Sequence, residues 1–229
     1  MRIVESRLIN TDDGNSFRFI RVEPGNLQQT LKEILDVIMD LSWISKFDKK
    51  FKRDSFESRA KKTIADIQEK FNNCSDDKVT SDAGEYVVSE IARESIVNEL
   101  GYLDVPLPEL FKQKKSGNPG FDFISENEET KTVIFGEAKY NARTSAHTAA
   151  IGQAESFARE GKDIEDIADL ENLCSTEALN KVAEGHKGFA VAFSTRSTGS
   201  DAIIESIQSN EKFKSLLTFE EVIVVAVNI

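Results

Sequence analysis

The fold is decided by two short apolar runs, Phe121-Asp122-Phe123-Ile124-Ser125 and Thr132-Val133-Ile134-Phe135-Gly136-Glu137-Ala138-Lys139-Tyr140, which a charged segment over residues 126–131 connects. Both runs are rich in aromatic and β-branched residues, which favour strands. The connecting segment contains only Glu, Asn, Thr and Lys, so it offers no apolar side chain to a core. We therefore predict an antiparallel β-hairpin with a polar turn.

The segments on either side of the hairpin alternate between strand and helix patterns. We predict strands over residues 2–9, 16–23, 188–194 and 221–228, and helices from about residue 26 and over residues 81–100, 146–160 and 201–217. Ser81 and Asp82 can cap the helix over 81–100, and Gly101 stands where a C-cap glycine is expected. Residues 103–110 are predicted as a connector that contains prolines. This order predicts an α/β sandwich around a mixed sheet.

The composition predicts a cytoplasmic protein without membrane contact. No apolar run approaches the roughly 20 residues that span a bilayer. The N-terminus, Met1-Arg2-Ile3-Val4-Glu5, becomes charged at once, unlike a signal peptide. Cys74 and Cys174 lie far apart and outside any CxxC pair, so we expect reduced thiols and no thiolate zinc site.

Three polar side chains of the hairpin are the candidates for a chemical site. Because side chains alternate along a strand, Glu137 and Lys139 are expected on one face and Ala138 on the other. Asp122 lies fifteen positions before Glu137, which fits two paired strands and a turn, so the two carboxylates should meet. They repel, and Mg²⁺ removes that repulsion, with the Ala138 carbonyl as a further oxygen ligand. Lys139 can orient or deprotonate an attacking water and offset charge on a phosphate.

A third carboxylate is expected from the helix over residues 81–100. Glu85 follows Gly84, and a glycine at that position would let the helix approach the hairpin closely. Glu90 and Glu94 lie on the same helix and are alternatives to Glu85. The third ligand is therefore left open among the three.

The remaining polar residues narrow the chemistry further. Gln153 on the helix over 146–160 can place an amide over the site, with Phe157 packed beneath it. With His147 and His186 as the only histidines, a histidine-metal nuclease and a Ser–His–Asp hydrolase have few residues to use. No GxxxxGK[ST] motif is present, so an ATPase motor is not supported.

Gly120-Phe121-Asp122, followed by Gly136-Glu137-Ala138-Lys139, resembles the signature of the PD-(D/E)xK nuclease superfamily. The resemblance covers about residues 80–229. It implies a restriction-endonuclease-like αβββαβ core with a mixed central sheet, to which residues 1–75 add a small N-terminal α/β appendage that can contact a partner or DNA. The proline that normally stands beside the aspartate is displaced to Pro119.

A narrower similarity joins Gly84-Glu85 and the Gly-x-Asp element to Gly136-Glu137-Ala138-Lys139-Tyr140. This combination is similar to the nuclease subunits of Hachiman-type antiphage systems, in which the nuclease works with a helicase. The resemblance implies a Mg²⁺-dependent DNA nuclease, in which Mn²⁺ can substitute. It also implies roles for four side chains, with Glu85, Asp122 and Glu137 as metal ligands and Lys139 as the catalytic lysine.

The charge bears on how such a protein would meet its substrate. The formal net charge is −11, whereas phosphate contacts normally come from Lys and Arg. We therefore expect weak affinity for DNA in this chain alone and a helicase partner that brings the DNA. The basic stretch over residues 46–62 would suit phosphate contacts, although such a run is more often a solvated helix face. A non-catalytic partner-binding subunit and a stand-alone restriction endonuclease stay open as alternatives, as does RNA as the substrate.

Overall fold

The computed structural model describes residues 1–74, 79–112 and 120–229. The strands in these ranges are β1 (Arg2–Asn10), β2 (Ser16–Glu23), β3 (Leu103–Asp104), β4 (Phe123–Asn127), β5 (Thr132–Lys139), β6 (Gly188–Thr195) and β7 (Glu221–Asn228). They form one seven-stranded sheet in the order β1-β2-β7-β6-β5-β4-β3. The strands β2, β7, β6 and β5 are parallel neighbours, and the remaining pairs are antiparallel. The predicted α/β class with a mixed sheet is confirmed.

The helices cover both faces of this sheet. They are α1 (Leu27–Met39), α2 (Lys50–Asn72), α3 (Ser81–Leu100), α4 (Pro108–Phe111), α5 (His147–Glu160), α6 (Lys162–Asp166), α7 (Thr176–Ala183), α8 (Ser200–Gln208) and α9 (Glu211–Leu216), with 3₁₀ turns at Ser42–Lys46 and Ile167–Leu170. Every residue of β6 is buried, and successive side chains of a strand point to opposite faces, so neither face of β6 meets solvent. Within the described ranges, we find no helix that is long and apolar enough to cross a membrane.

The helix α3 shows one correct and one wrong prediction at its ends. Gly101 ends the helix in the left-handed region at φ 70, and its N–H donates to the carbonyl of Val97, as a C-cap glycine should. The N-cap is Thr80, and no side chain caps the first turn. The prediction that Ser81 and Asp82 cap this helix was therefore wrong, because both already lie within its first turn.

The predicted helix over residues 201–217 is divided into α8 and α9. Asn210 separates them, and its side-chain oxygen accepts hydrogen bonds from the N–H groups of Lys212 and Phe213 at 2.9 and 3.3 Å. Such a cap begins a new helix, because it satisfies donors that have no partner within the first turn. The apolar periodicity continues across the break, which explains why the pattern predicts one helix.

The connector predicted over residues 103–110 contributes an edge strand to the sheet. Leu103 and Asp104 pair with Glu126 and Ser125 of β4 and form β3. Pro108 then opens α4, where a missing N–H removes no hydrogen bond. The elements from α3 onward therefore run α3, β3, β4, β5, α5 and β6, with α4 inserted before β4 and α6 and α7 before β6.

The N-terminal hairpin belongs to the same sheet as the rest of the chain. Its second strand, β2, pairs in parallel with β7 from Arg18 opposite Ile223 to Val22 opposite Val227. The buried apolar residues of the described ranges form one cluster that includes residues of both strands. The N-terminal appendage over residues 1–75 therefore shares one sheet and one core with the rest of the described chain.

Candidate active site

Asp122 lies immediately before β4, beside the strand that carries Glu137. The strand β4 begins at Phe123, two residues later than predicted. Asp122 nevertheless continues the hairpin, because its N–H donates to the Gly136 carbonyl at 2.8 Å. Its Oδ2 accepts a hydrogen bond from the N–H of Ala138, also at 2.8 Å. These two bonds hold the Asp122 carboxylate against β5. Pro119, the displaced proline of the motif, lies outside the described residues.

Glu137 is a buried carboxylate that pairs with Lys139 and adjoins the Asp122 carboxyl. Its side chain is 0% exposed, and no backbone N–H of the described residues donates to either oxygen. Lys139 forms an ion pair with it, with Nζ 2.8 Å from Oε1. Buried carboxylates in folded proteins normally have their oxygens hydrogen-bonded. The Glu137 oxygens therefore retain acceptor capacity that the fold itself does not use.

Burial raises the pKa of both hairpin carboxyls. The pKa of Asp122 rises to about 6, although the Lys139 charge and the Ala138 N–H oppose this rise. The pKa of Glu137 is raised well above its ordinary value, first by burial and then by the neighbouring Asp122 carboxylate. Two carboxyls that influence each other in this way titrate as a pair and hold a proton near neutral pH. A bound cation would replace that proton.

Lys139 connects the hairpin to the helix α3. Its Nζ lies 3.1 Å from Oε1 of Glu85 and donates to the Ala138 carbonyl at 3.1 Å, in addition to its pair with Glu137. Burial lowers the pKa of Lys139, but Glu137 and then Asp122 and Glu85 outweigh burial and raise it. Lys139 is therefore an ammonium group at neutral pH, which suits charge stabilisation better than proton abstraction.

Of the three helix carboxylates considered as a third ligand, Glu85 is the one that contacts Lys139. Glu90 is buried on another side of α3, where it pairs with Arg93 at 2.6 Å. Glu94 is exposed, one turn beyond Glu90 on the same helix. The geometry therefore favours Glu85 over Glu90 and Glu94.

Gly84 allows α3 to lie this close to the end of β5. A Cβ atom at Gly84 would lie 2.1 Å from a ring carbon of Tyr140 and 2.7 Å from its Cβ. The Tyr140 hydroxyl donates to the Val79 carbonyl at 3.0 Å, so the ring is held at both ends. The close approach inferred from the Gly84-Glu85 pair is therefore present, and the ring of Tyr140 is the reason that it requires glycine.

Gly84→Ala is expected to lower the free energy of unfolding by about 1–3 kcal/mol, because the added methyl group collides with the rigid part of Tyr140. Gly152→Ala in α5 is the matched control, since a Cβ there meets only Lys212 Nζ at 3.7 Å. That change should stabilise the protein by about 0.5–1 kcal/mol through helix propensity. Urea unfolding of both variants measures the difference. Stabilisation by both changes would contradict the contact with Tyr140.

Gln153 lies half-buried on α5, and its side chain makes no hydrogen bond with the residues that the structure describes. Its neighbour one turn on, Phe157, packs edge-to-face against Phe121 with ring centroids 5.4 Å apart. The helix is therefore anchored on the residue that precedes Asp122. The structure places Gln153 on that anchored helix without bringing its amide into contact with the carboxylate pair.

The predicted ligands are only partly assembled. In the part of the chain that the structure describes, no three His, Cys, Asp or Glu side chains converge on one point. Asp122 and Glu137 adjoin, whereas Glu85 is joined to them through Lys139. The donor set still fits Mg²⁺, because no backbone N–H of the described residues occupies the two buried Glu137 oxygens, and hard cations prefer carboxylate and carbonyl oxygens.

A hydrogen-bonded contact just beyond Lys139 has no recognisable pattern in the sequence. Asn141 N–H donates to Ser194 Oγ at 2.8 Å, and Ser194 Oγ donates to the Asn141 carbonyl at 3.1 Å. Asn141 lies two residues after the end of β5, and Ser194 is the second-to-last residue of β6. This reciprocal contact fixes the start of the loop that leaves the candidate site.

A separate cavity of about 450 Å³ lies between α1, α3 and α4. Trp43, Glu90 and Arg93 are among the residues that line it, and none of the hairpin carboxylates does. Arg93 is already paired with Glu90 and Asp104. The Glu90 and Arg93 charges at this cavity are therefore already paired with each other, and the candidate chemistry lies at the hairpin.

Comparison of the chain with protein-family models, curated proteins and solved structures gave no match. What the fold and the site define is an α/β protein with a buried carboxylate pair and an ammonium group at the end of a central strand. A function is therefore inferred from side-chain geometry and charge.

Proposed function

We propose that the chain is a Mg²⁺-dependent nuclease of the PD-(D/E)xK type that hydrolyses phosphodiester bonds of DNA. The observation that carries the proposal is Glu137, which is 0% exposed and lies 2.8 Å from Lys139. No backbone N–H of the described residues donates to its oxygens, and the Asp122 carboxyl adjoins it. A buried carboxyl pair with raised pKa values beside a lysine is costly to the fold, and such arrangements cluster at functional sites.

The order of elements supports a restriction-endonuclease-like core. With the short strand β3, the series α3, β3, β4, β5, α5 and β6 follows the αβββαβ order that the motif implies. Within this series, β4 pairs antiparallel with both β3 and β5, and β5 is parallel to β6. The motif residues lie on β5 and just before β4, at the centre of this series.

Asp122, Glu137 and the Ala138 carbonyl would hold Mg²⁺, or Mn²⁺ in its place, and Glu85 would supply the third carboxylate. When bound, the ion supplies positive charge to phosphate oxygens and activates an attacking water. The Ala138 N–H keeps Asp122 oriented through its bond to Oδ2.

Lys139 contributes a permanent positive charge to the same site. Its ammonium group is held between Glu85 and Glu137 and can donate a hydrogen bond to a phosphate oxygen as charge builds there. The side chain of Gln153, which makes no hydrogen bond with the described residues, is available to orient the substrate. The residues therefore divide into carboxylates that bind the cation and a lysine that stabilises the phosphate.

The proposal extends to the setting in which the nuclease works. The net charge of −11 predicts weak affinity for DNA in the isolated chain, because phosphate binding requires Lys and Arg. A helicase partner that delivers the DNA would compensate for this charge. The nuclease subunits of Hachiman-type antiphage systems, whose motif residues these resemble, work with such a helicase. Such a partner would also restrict cutting to DNA that it has engaged.

Degradation of plasmid and linear DNA tests the proposal. The wild type is expected to cut DNA with Mg²⁺ or Mn²⁺ and to stop when the metal is chelated, whereas Glu137→Ala/Lys139→Ala should be inactive. RNA of the same sequence is assayed in parallel. Equal cleavage by wild type and double variant would overturn the assignment. Calorimetric titration separates a non-catalytic subunit, because a scaffold has no reason to bind Mg²⁺ or Mn²⁺.

The stabilisation of the fold by Mg²⁺ is expected to depend on pH. The pKa of Asp122 is raised to about 6, so below that pH the cation must displace a proton. A raised carboxyl pKa also means that the stability of the protein without metal falls as pH rises through about 6. Thermal unfolding should therefore show a small Mg²⁺-induced rise in Tm at about pH 5 and a larger one at about pH 8. Asp122→Asn should reduce this difference, and equal shifts at both pH values in the wild type would contradict it.

A further inference from the structure

Two arginines stand in the loops that leave the sheet beside Lys139. Arg143 follows the end of β5 by four positions, and Arg196 directly follows the end of β6. The two strands are parallel and paired, with Lys139 opposite Phe193. Both loops therefore emerge at the same edge of the sheet, which is the edge where Lys139 lies.

Hydrogen bonds hold the loop after β5 in place. Asn141 is joined to Ser194, near the end of β6, by the reciprocal bonds described above. The side-chain oxygen of Asn141 also accepts from the N–H groups of Arg143 and Thr144 at 2.9 and 3.2 Å, which shapes the first turn of the loop. The loop that carries Arg143 is thus fixed to the end of β6.

Arg196 lies near the residue that follows Lys139. The ring of Tyr140 packs on Gly84, next to Glu85. Burial raises the pKa of the Tyr140 hydroxyl, and the positive charge of Arg196 opposes this rise. Because Arg196 directly follows the strand end that pairs with the Lys139 end of β5, it lies at the rim of the candidate site.

Both arginines are exposed, and neither side chain forms an ion pair or a hydrogen bond within the described ranges. Some other cations of the chain are used by the fold. In the basic stretch of α2, Lys50 pairs with Asp54 and Lys61 with Glu57, each at 2.6 Å. Acidic partners are abundant in a chain with a net charge of −11, yet within the described ranges neither arginine is paired with one.

We propose that Arg143 and Arg196 form a phosphate clamp, which binds the DNA backbone on either side of the bond that lies over Lys139. The guanidinium group suits this role, because its planar donors match two phosphate oxygens at once. The clamp rests on the proposed nuclease function for its purpose, but its DNA contacts are measurable without cleavage. It places the substrate backbone across the ends of β5 and β6.

Fluorescence anisotropy of a labelled DNA duplex of about 20 base pairs, with the metal chelated, tests the clamp. Each phosphate contact contributes about 0.9 to the slope of log K against log salt, so Arg143→Ala/Arg196→Ala should lower the slope by about 1.8. It should also weaken binding at about 50 mM salt by about tenfold or more. Arg143→Lys/Arg196→Lys should keep most of the slope.

Lys32→Ala/Lys181→Ala is the control with the same charge change. Lys32 is exposed on α1, and Lys181 donates to the Thr130 carbonyl at the hairpin turn, at the other end of β5 from Lys139. This variant should bind DNA like the wild type, and all variants should keep the wild-type Tm. An unchanged slope in the arginine-to-alanine variant, an equal loss in the lysine control, or no DNA binding by the wild type at low salt would overturn the clamp.

The two proposals fail separately. Salt-dependent binding through the arginines without cleavage in Mg²⁺ would keep the clamp and remove the nuclease. Cleavage by the wild type together with an unchanged slope in the arginine-to-alanine variant would keep the nuclease and remove the clamp.

Discussion

Lys139→Met is expected to reduce Mg²⁺-dependent DNA cleavage by about a thousandfold while Mg²⁺ binding is retained. Methionine keeps much of the volume of the lysine side chain but removes the ammonium group that lies between Glu137 and Glu85 at 2.8 and 3.1 Å. Removal of this charge leaves more negative potential around Asp122 and Glu137. The affinity of these carboxylates for a cation should therefore stay the same or rise, while stabilisation of the phosphate is lost.

Glu137→Gln is the contrasting variant, because it changes the charge and leaves the shape of the side chain. It removes the carboxylate that would bind the cation, so both Mg²⁺ binding and cleavage should fall. Cleavage rates together with calorimetric titration of Mg²⁺ separate the two variants. Loss of Mg²⁺ binding in Lys139→Met, or cleavage at the wild-type rate, would contradict the roles given to these residues.

The hairpin and the glycine at the end of α3 could be predicted from the sequence, because local patterns determine both. The two apolar runs and the polar turn specify the register that pairs Phe123 with Gly136, and this register brings Asp122 to Ala138. Gly101 ends α3 because glycine readily adopts the left-handed conformation that this helix end requires. Such features depend on a few neighbouring residues, so the sequence expresses them directly.

Features that depend on contacts between distant segments could not be predicted. The strand β3 has only two residues, too few for an alternating pattern, and it exists because β4 offers a free edge. The position of Glu85, as opposed to Glu90, depends on how α3 is rotated against β5. Arg143 and Arg196 meet at one edge only because β5 and β6 are neighbours. No spacing in the sequence encodes these relations.

The largest loss of stability is expected from Lys187→Met, at about 3–5 kcal/mol. Lys187 is 8% exposed at the start of β6, and its Nζ donates to Asp163 of α6, which is 0% exposed. The other Asp163 oxygen has no hydrogen-bond partner among the described residues. Without Lys187, the buried Asp163 carboxylate loses the positive charge that it is paired with. In the sequence, Lys187 is one more lysine before a strand, and nothing marks it as buried.

The loss should come from the isolated charge, so removal of both partners should restore much of it. Lys187→Met/Asp163→Leu is expected to be more stable than Lys187→Met alone, because two apolar side chains leave no charge to desolvate. Lys50→Met, which breaks the exposed pair with Asp54, should have no measurable effect. Urea unfolding measures all three variants. If the double variant were as unstable as Lys187→Met, the loss would come from packing around Lys187, and the ion pair would not be what holds α6 against the start of β6.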